Sequence, residues 1–243
     1  MTRTRRPPPT TRQTSDLPTE GRQAVDSFLA KVAAAPKTGG SGRQGRLLFA
    51  MDATMSRQPT WDRACQIQGD MFLETASIGG LSVQLAFFRG HSELKASRWV
   101  DNAEGLLRLM SSVSCRGGYT QIGRMLGHAL KETRREKIGA VVYVGDCCEE
   151  PPDHLCHLAG ELGVMSTPLF MFHEGGDPTA GLAFREMARL SGGAYVPFDA
   201  SSPAQLRDLL RAAAVYAAGG RAVLEDHSAG RGDAGVKLLA QLR

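Results

Sequence analysis

The feature that most constrains this chain is the run Leu47-Leu48-Phe49-Ala50-Met51, which stops at Asp52-Ala53-Thr54-Met55-Ser56. A short run of large apolar side chains suits a strand covered on both faces, as in parallel sheets, and α/β proteins keep their sites at the carboxyl ends of such strands. There Asp52, Thr54 and Ser56 fall at alternate positions and offer hard oxygens. Hard oxygens suit Mg²⁺, Mn²⁺ or Ca²⁺ rather than zinc or copper. The same residue types also cap helices, so this loop alone leaves capping and metal binding both open.

Beyond it the pattern alternates. A long helix is expected around Trp61, Cys65, Gln68, Met71 and Phe72, closed by Gly79-Gly80, and Leu81 to Phe88 reads as the next strand. Glu93 to Ala96 can pair back across the turn at Gly90 as a short antiparallel partner. A helix is expected on Leu106, Leu107, Met110 and Val113, and Gly117-Gly118-Tyr119-Thr120 opens another that runs to about Glu136. Its last turn carries Lys131, Arg134 and Arg135, where cations complement the helix dipole. Strand Ala140 to Val144, ending in Gly145-Asp146, then a helix on Leu155 to Leu162, strand Pro168 to Phe172, helix Ala180 to Leu190, strand Ala194 to Phe198 and helix Pro203 to Ala218 complete the series. This alternation predicts an α/β fold: a doubly wound, mainly parallel sheet with helices on both faces.

Outside that unit, residues 1–18 form a basic, proline-rich tail expected to be disordered, 19–35 an accessory helix ended by Pro36, and 36–44 a glycine-rich linker. The main domain spans 45–220, and 221–243 is a C-terminal extension of ambiguous type. The net charge of +4 is carried by Arg3, Arg5, Arg6 and Arg12, so the rest of the chain is neutral and has no basic stripe for nucleic acid. No apolar segment approaches the ~20 residues a membrane span requires. Arg5-Arg6 is followed by Pro7-Pro8-Pro9 where an export signal needs an apolar stretch. The five cysteines form an odd set, which points to reduced thiols and a cytoplasmic location.

Three loops stand at comparable places, carrying Asp52, Thr54 and Ser56, then Thr120, then Asp146. Together they resemble the metal-ion-dependent adhesion site of von Willebrand factor type A (VWA) domains. The family's first loop is Asp-x-Ser-x-Ser, matched here except for Thr54, which keeps the hydroxyl and adds a methyl. The resemblance covers roughly Arg46 to Ala218 and is nearest to single-domain bacterial cytosolic members. It implies a six-stranded sheet in which Glu93 to Ala96 is the short antiparallel edge strand. It also implies a divalent cation, Mg²⁺ or else Mn²⁺ or Ca²⁺, held by Asp52, Thr54, Ser56, Thr120 and Asp146, whose open position accepts an Asp or Glu from a partner protein. Bacterial domains of this type often work beside AAA+ ATPases or chaperone-type assemblies.

Arg57, His91, Tyr119 and Glu149 adjoin these loops and are expected at the partner-facing rim, and Trp99 is placed near the same face. Cys147-Cys148 follows Asp146, but with His154, Cys156 and His157 it gives no paired zinc spacing, so these thiols read as small packing residues. Arg231-Gly232-Asp233 reads as a turn. Two other functions compete. A Mg²⁺-dependent phosphohydrolase with Asp52 as nucleophile is opposed by Thr54, which stands where a second carboxylate should act as general acid. A scaffold tethered through the N-terminal helix would leave the metal site vestigial. The preferred reading is a non-enzymatic, metal-dependent protein-binding module.

Overall fold

A computed structural model describes residues 45–58, 81–101, 105, 108, 111–198, 203–228, 236 and 238–242. The expected tail, accessory helix and linker over 1–44, the helix carrying Trp61 and Cys65, and Arg231-Gly232-Asp233 lie outside the described residues. The strands are β1 (Gly45–Asp52), β2 (Leu81–Arg89), β3 (Glu93–Ala96), β4 (Ala140–Gly145), β5 (Leu169–Glu174) and β6 (Ala194–Phe198). The longer helices are α1 (Ile122–Arg135), α2 (Pro152–Val164), α3 (Pro178–Ser191) and α4 (Pro203–Ser228), with a short 3₁₀ turn at Met55–Arg57.

The six strands form one sheet in the order β3-β2-β1-β4-β5-β6. Only the β2–β3 pair is antiparallel. This is the α/β architecture expected from the alternation, including the short edge strand at Glu93–Ala96. The order reverses at β1: the chain leaves it toward β2 on one side, whereas β4 to β6 are laid down on the other. At such a reversal the loops following the two central strands diverge and leave a crevice beyond their carboxyl ends. Asp52 is the last residue of β1 and Asp146 follows β4, so both stand at that crevice.

Side chains alternate across a strand, and β1 divides them between two apolar layers. Leu47, Phe49 and Met51 meet Leu209, Leu210 and Ala213 of α4 on one face. Leu48 and Ala50 join Ile122, Met125 and Leu126 of α1, Leu155 of α2 and Phe184 of α3 on the other. Helix α1 buries Ile122, Met125, Leu126, Ala129, Leu130 and Thr133, the spacing of a single helical stripe. Helix α3 has both of its ends marked in sequence. Asp177 Oδ1 accepts the Ala180 amide at 2.6 Å, Pro178 occupies the first turn, and Gly192 closes the helix at φ 73°.

Gly220, at φ 74° and ψ −165°, breaks α4 in two at the expected start of the C-terminal extension, though a helix kink is no test of a domain boundary. The chain past the break nevertheless packs on the sheet: Leu224, Leu238 and Leu242 enter the same apolar layer as β1. Burying a leucine stabilises by about 1.5–3 kcal/mol, enough to hold so short a segment in place. Gln241 then completes the exposed edge of β6. Its Oε1 accepts the Tyr195 amide at 2.8 Å and its Nε2 donates to the Tyr195 carbonyl at 3.0 Å, as a seventh strand would.

Candidate metal centre

The geometry of the crevice begins with Asp52. Its side chain is fully buried, and Oδ1 accepts the Thr54 amide at 2.7 Å. Oδ2 is buried with no hydrogen-bond partner among the described residues. Burial pushes the Asp52 carboxyl from 3.8 up to about 6, against the lowering effect of the Thr54 bonds and of Arg57. A buried carboxylate oxygen without a donor is costly, and native structures reserve such atoms for special purposes.

The second loop is clamped to the first. Arg116 N–H donates to the Ala53 carbonyl at 3.0 Å, and Gln121 Nε2 reaches the carbonyls of Arg89 and Gly90 at 3.2 and 3.1 Å. Gly118 passes so close to the end of β2 that a Cβ there would lie 2.0 Å from the Gly90 carbonyl oxygen. Only glycine allows that approach. Thr120, itself buried, exchanges two bonds with the third loop: its amide donates to Glu149 Oε2 at 2.9 Å, and its Oγ1 accepts the Glu149 amide at 3.0 Å.

The third loop leaves β4 at Gly145, where any Cβ would meet the Tyr143 hydroxyl at 2.3 Å. His173, buried on β5, fixes the turn that follows. Its Nε2 donates to the Asp146 carbonyl at 3.2 Å, so its Nδ1 is the acceptor for the Tyr195 hydroxyl at 2.9 Å. Asp52, Asp146 and Cys147 each present one ligand atom here, and these atoms lie within 4.8 Å of one another. Cys147 Sγ approaches Asp146 Oδ1 at 3.6 Å. Burial, with Asp146 and Asp52 adding to it, pushes the Cys147 thiol up to about 12.

No family model and no curated protein sequence matches the chain. Solved structures do. The SpRpn10 VWA domain superimposes with a TM-score of 0.52 at 12% identity, over 67% of this chain and 95% of that one. Proximal thread matrix protein 1 from the mussel byssus gives 0.55 at 17% identity, over 71% of this chain and 48% of that one. A D319A mutant of the PilB minor pilin from Streptococcus sanguinis gives 0.54 at 8% identity, over 71% and 63%. The fold is that of a VWA domain.

Within this VWA fold, the structure groups the sequence-selected residues unevenly. Asp52 and Asp146 converge, and Thr54 Oγ1 and Ser56 Oγ lie 3.1 Å apart beside them. Thr120 is engaged with Glu149 rather than with either aspartate. The set fits a hard divalent cation. Two carboxylates, one of them with an orphaned buried oxygen, and a hydroxyl pair are the donors such an ion takes, and a cation would supply the charge that Asp52 Oδ2 lacks.

At the rim, Tyr119 is 62% exposed and its ring lies 5.9 Å from that of His91, while Met55 is 52% exposed on the first loop. Glu149 is exposed, but one of its oxygens is committed to Thr120.

Two of the residues expected at or near the rim are elsewhere. Arg57 is 1% exposed: Nε donates to Glu174 Oε2 at 2.8 Å, Nη2 lies 2.6 Å from the same oxygen, and Nη1 donates to the Asp52 carbonyl at 2.8 Å. It therefore cannot touch a partner, because its charge is used to tie the first loop to the end of β5. Trp99 lies at the opposite end of the sheet, under the Arg46 guanidinium at 3.7 Å and bonded to Glu132 at 2.8 Å.

Glu150 was legible in sequence only as part of an acidic turn. In space its carboxylate caps α1, accepting the amides of Ile122 and Gly123, the latter at 3.0 Å. Burial raises its pKa, and the amides and Thr120 lower it. A carboxylate at a helix N-terminus complements the dipole, and here it joins the second loop to the third.

Proposed function

We propose that this chain is a metal-ion-dependent protein-binding module, in which a divalent cation at Asp52 and Asp146 accepts an Asp or Glu carboxylate from a partner protein. The observation that carries the reading is the buried, unpartnered Asp52 Oδ2, on a carboxylate that lies within 4.8 Å of an Asp146 ligand atom. Asp52 and Asp146 would hold Mg²⁺, Mn²⁺ or Ca²⁺, with Thr54, Ser56 and Thr120 as the hydroxyl donors. The ion would supply a Lewis-acidic position for an external carboxylate.

Charge supports this assignment. Two carboxylates neutralise a divalent ion formally, but neutral hydroxyls satisfy it weakly, so an anionic ligand gains from completing the shell. The exposed Tyr119, His91 and Met55 give that carboxylate an aromatic and apolar border, suited to an acidic residue flanked by apolar ones. Among the described residues no helix is long and apolar enough to cross a membrane. We place the module in the cytoplasm of a bacterial cell, as a non-catalytic subunit of a larger assembly such as one built on an AAA+ ATPase or a chaperone.

The test is calorimetric titration of the metal-stripped chain with Mg²⁺ and Mn²⁺, followed by affinity capture in Mg²⁺, in EDTA, and with Asp146→Ala. A single cation site abolished by Asp52→Ala, and a partner retained only by wild type in Mg²⁺, are the expected results. Absence of any cation binding at millimolar concentration, or capture indifferent to EDTA, would overturn the reading.

A further inference from the structure

We propose that Cys147 is a metal ligand, so that the crevice takes a thiophilic divalent cation such as Zn²⁺ or Co²⁺ through one sulfur and two carboxylate donors. This rests on the reading that Asp52 and Asp146 hold a cation, and extends it to a second class of cation that competes for the same site.

Three observations converge. The ligand atoms of Asp52, Asp146 and Cys147 lie within 4.8 Å of one another. The Cys147 thiol donates to Asp146 Oδ1 with Sγ and Oδ1 3.6 Å apart. A tetrahedral centre with metal–sulfur and metal–oxygen bonds of about 2.3 and 2.1 Å has an S···O edge of about 3.6 Å. Independently, Asp52 Oδ2 is buried and unpartnered among the described residues, which calls for a positive charge at that point. The sequence hid this set because zinc spacing is sought as paired cysteines and histidines, whereas here Asp146 adjoins Cys147 after β4 and Asp52 arrives from the end of β1.

Coordination replaces the S–H bond by an S–metal bond, and the proton passes to solvent, so no oxidant or reductant is involved. The electrostatic consequence separates two classes of ion. A hard cation leaves the thiol protonated and keeps an open position. A thiophilic one gathers two carboxylates and a thiolate, whose combined charge exceeds its own, and such a centre repels a further carboxylate. Zn²⁺ in the crevice therefore opposes the docking that Mg²⁺ supports.

The test is a Co²⁺ titration of the metal-stripped full chain, followed by absorption, on wild type, Cys147→Ser and Cys148→Ser. Wild type and Cys148→Ser should show a near-ultraviolet sulfur-to-cobalt charge-transfer band at one equivalent, which Zn²⁺ abolishes and excess Mg²⁺ does not. Cys147→Ser should lose the band and bind Zn²⁺ about 10-fold or more weakly. In wild type, saturating Zn²⁺ should also protect Cys147 from alkylation, mapped by mass spectrometry, which serves if the variant does not fold. Stoichiometric Co²⁺ binding without the band overturns the sulfur ligand and leaves an all-oxygen site standing. A band lost in Cys148→Ser instead also overturns it. No Co²⁺, Mn²⁺ or Mg²⁺ binding at all overturns the cation site itself.

Discussion

Replacing Glu174 by Gln tests whether the first loop is held by a desolvated ion pair. Glu174 is 6% exposed and Arg57 1%, and the guanidinium also donates to the Asp52 carbonyl. Removing one member of a buried pair leaves the other charge unpaired in a medium that solvates it poorly, at a cost of about 3–5 kcal/mol. Gln keeps an oxygen acceptor for Arg57 Nε, so Glu174→Gln should cost ~3 kcal/mol, and Glu174→Leu and Arg57→Met ~5 kcal/mol each. The double variant Arg57→Met/Glu174→Leu removes both charges and both desolvation penalties, and should cost no more than ~2 kcal/mol. Urea unfolding of the metal-stripped protein measures all of these, provided the m-value is unchanged across the set. The singles should then overshoot the double, with a coupling energy of at least ~2 kcal/mol. If Glu174→Gln costs under ~1 kcal/mol, or if the singles add up to the double, the pair is solvated and the reasoning fails. Because Arg57 also fixes the carbonyl of Asp52, Arg57→Met should weaken cation binding even where stability is recovered.

Two further outcomes follow from the same site. In EDTA, the folded state holds the Asp52 proton more tightly than the unfolded chain, since its pKa is about 6 rather than 3.8. That contribution, about 3 kcal/mol, is fully present below pH ~3.8 and is lost as pH rises through ~6. The stability of wild type relative to Asp52→Asn should therefore fall across this window, and a flat difference would show that the carboxyl is solvated. Gly118→Ala places a methyl 2.0 Å from a backbone oxygen, so the Thr120 loop must shift away from β2. A loss of about 1–3 kcal/mol in urea is expected, with weakened metal binding, whereas wild-type stability would mean that the loops are not clamped as described.

The strands were readable because their signal is local. Apolar runs bounded by Asp or Gly mark β1 and β4, and the Pro178 and Gly192 ends of α3 are written within a few residues of the helix they bound. The two aspartates that the structure brings together, Asp52 and Asp146, were readable because each stands at the carboxyl end of one of those strands. Arg57 was misplaced because nothing beside it in sequence discloses Glu174, its partner 117 residues away. Glu150 looked like part of an acidic turn for the same reason, since the Ile122 and Gly123 amides it accepts lie 28 and 27 residues away. The C-terminal segment was ambiguous because Leu238, Leu239 and Leu242 make barely one turn of helical spacing, too short to mark an element by itself. Only the sheet surface beneath Leu238 and Leu242 gives them a place.

Taken by itself, then, the sequence determined the alternation of buried strands and amphipathic helices, and with it an α/β sheet carrying acids at the carboxyl ends of two strands. Hydrophobic periodicity and capping act over a few residues and need no knowledge of the rest of the chain. Which acid meets which thiol, which arginine is consumed internally, and which glycine must be glycine were decided by the tertiary structure alone. Those outcomes depend on the reversal of strand order at β1, which brings loops from distant parts of the chain to one crevice. Burial there sets the charge state of Asp52 and makes its unpartnered oxygen expensive, and no window of sequence contains that burial.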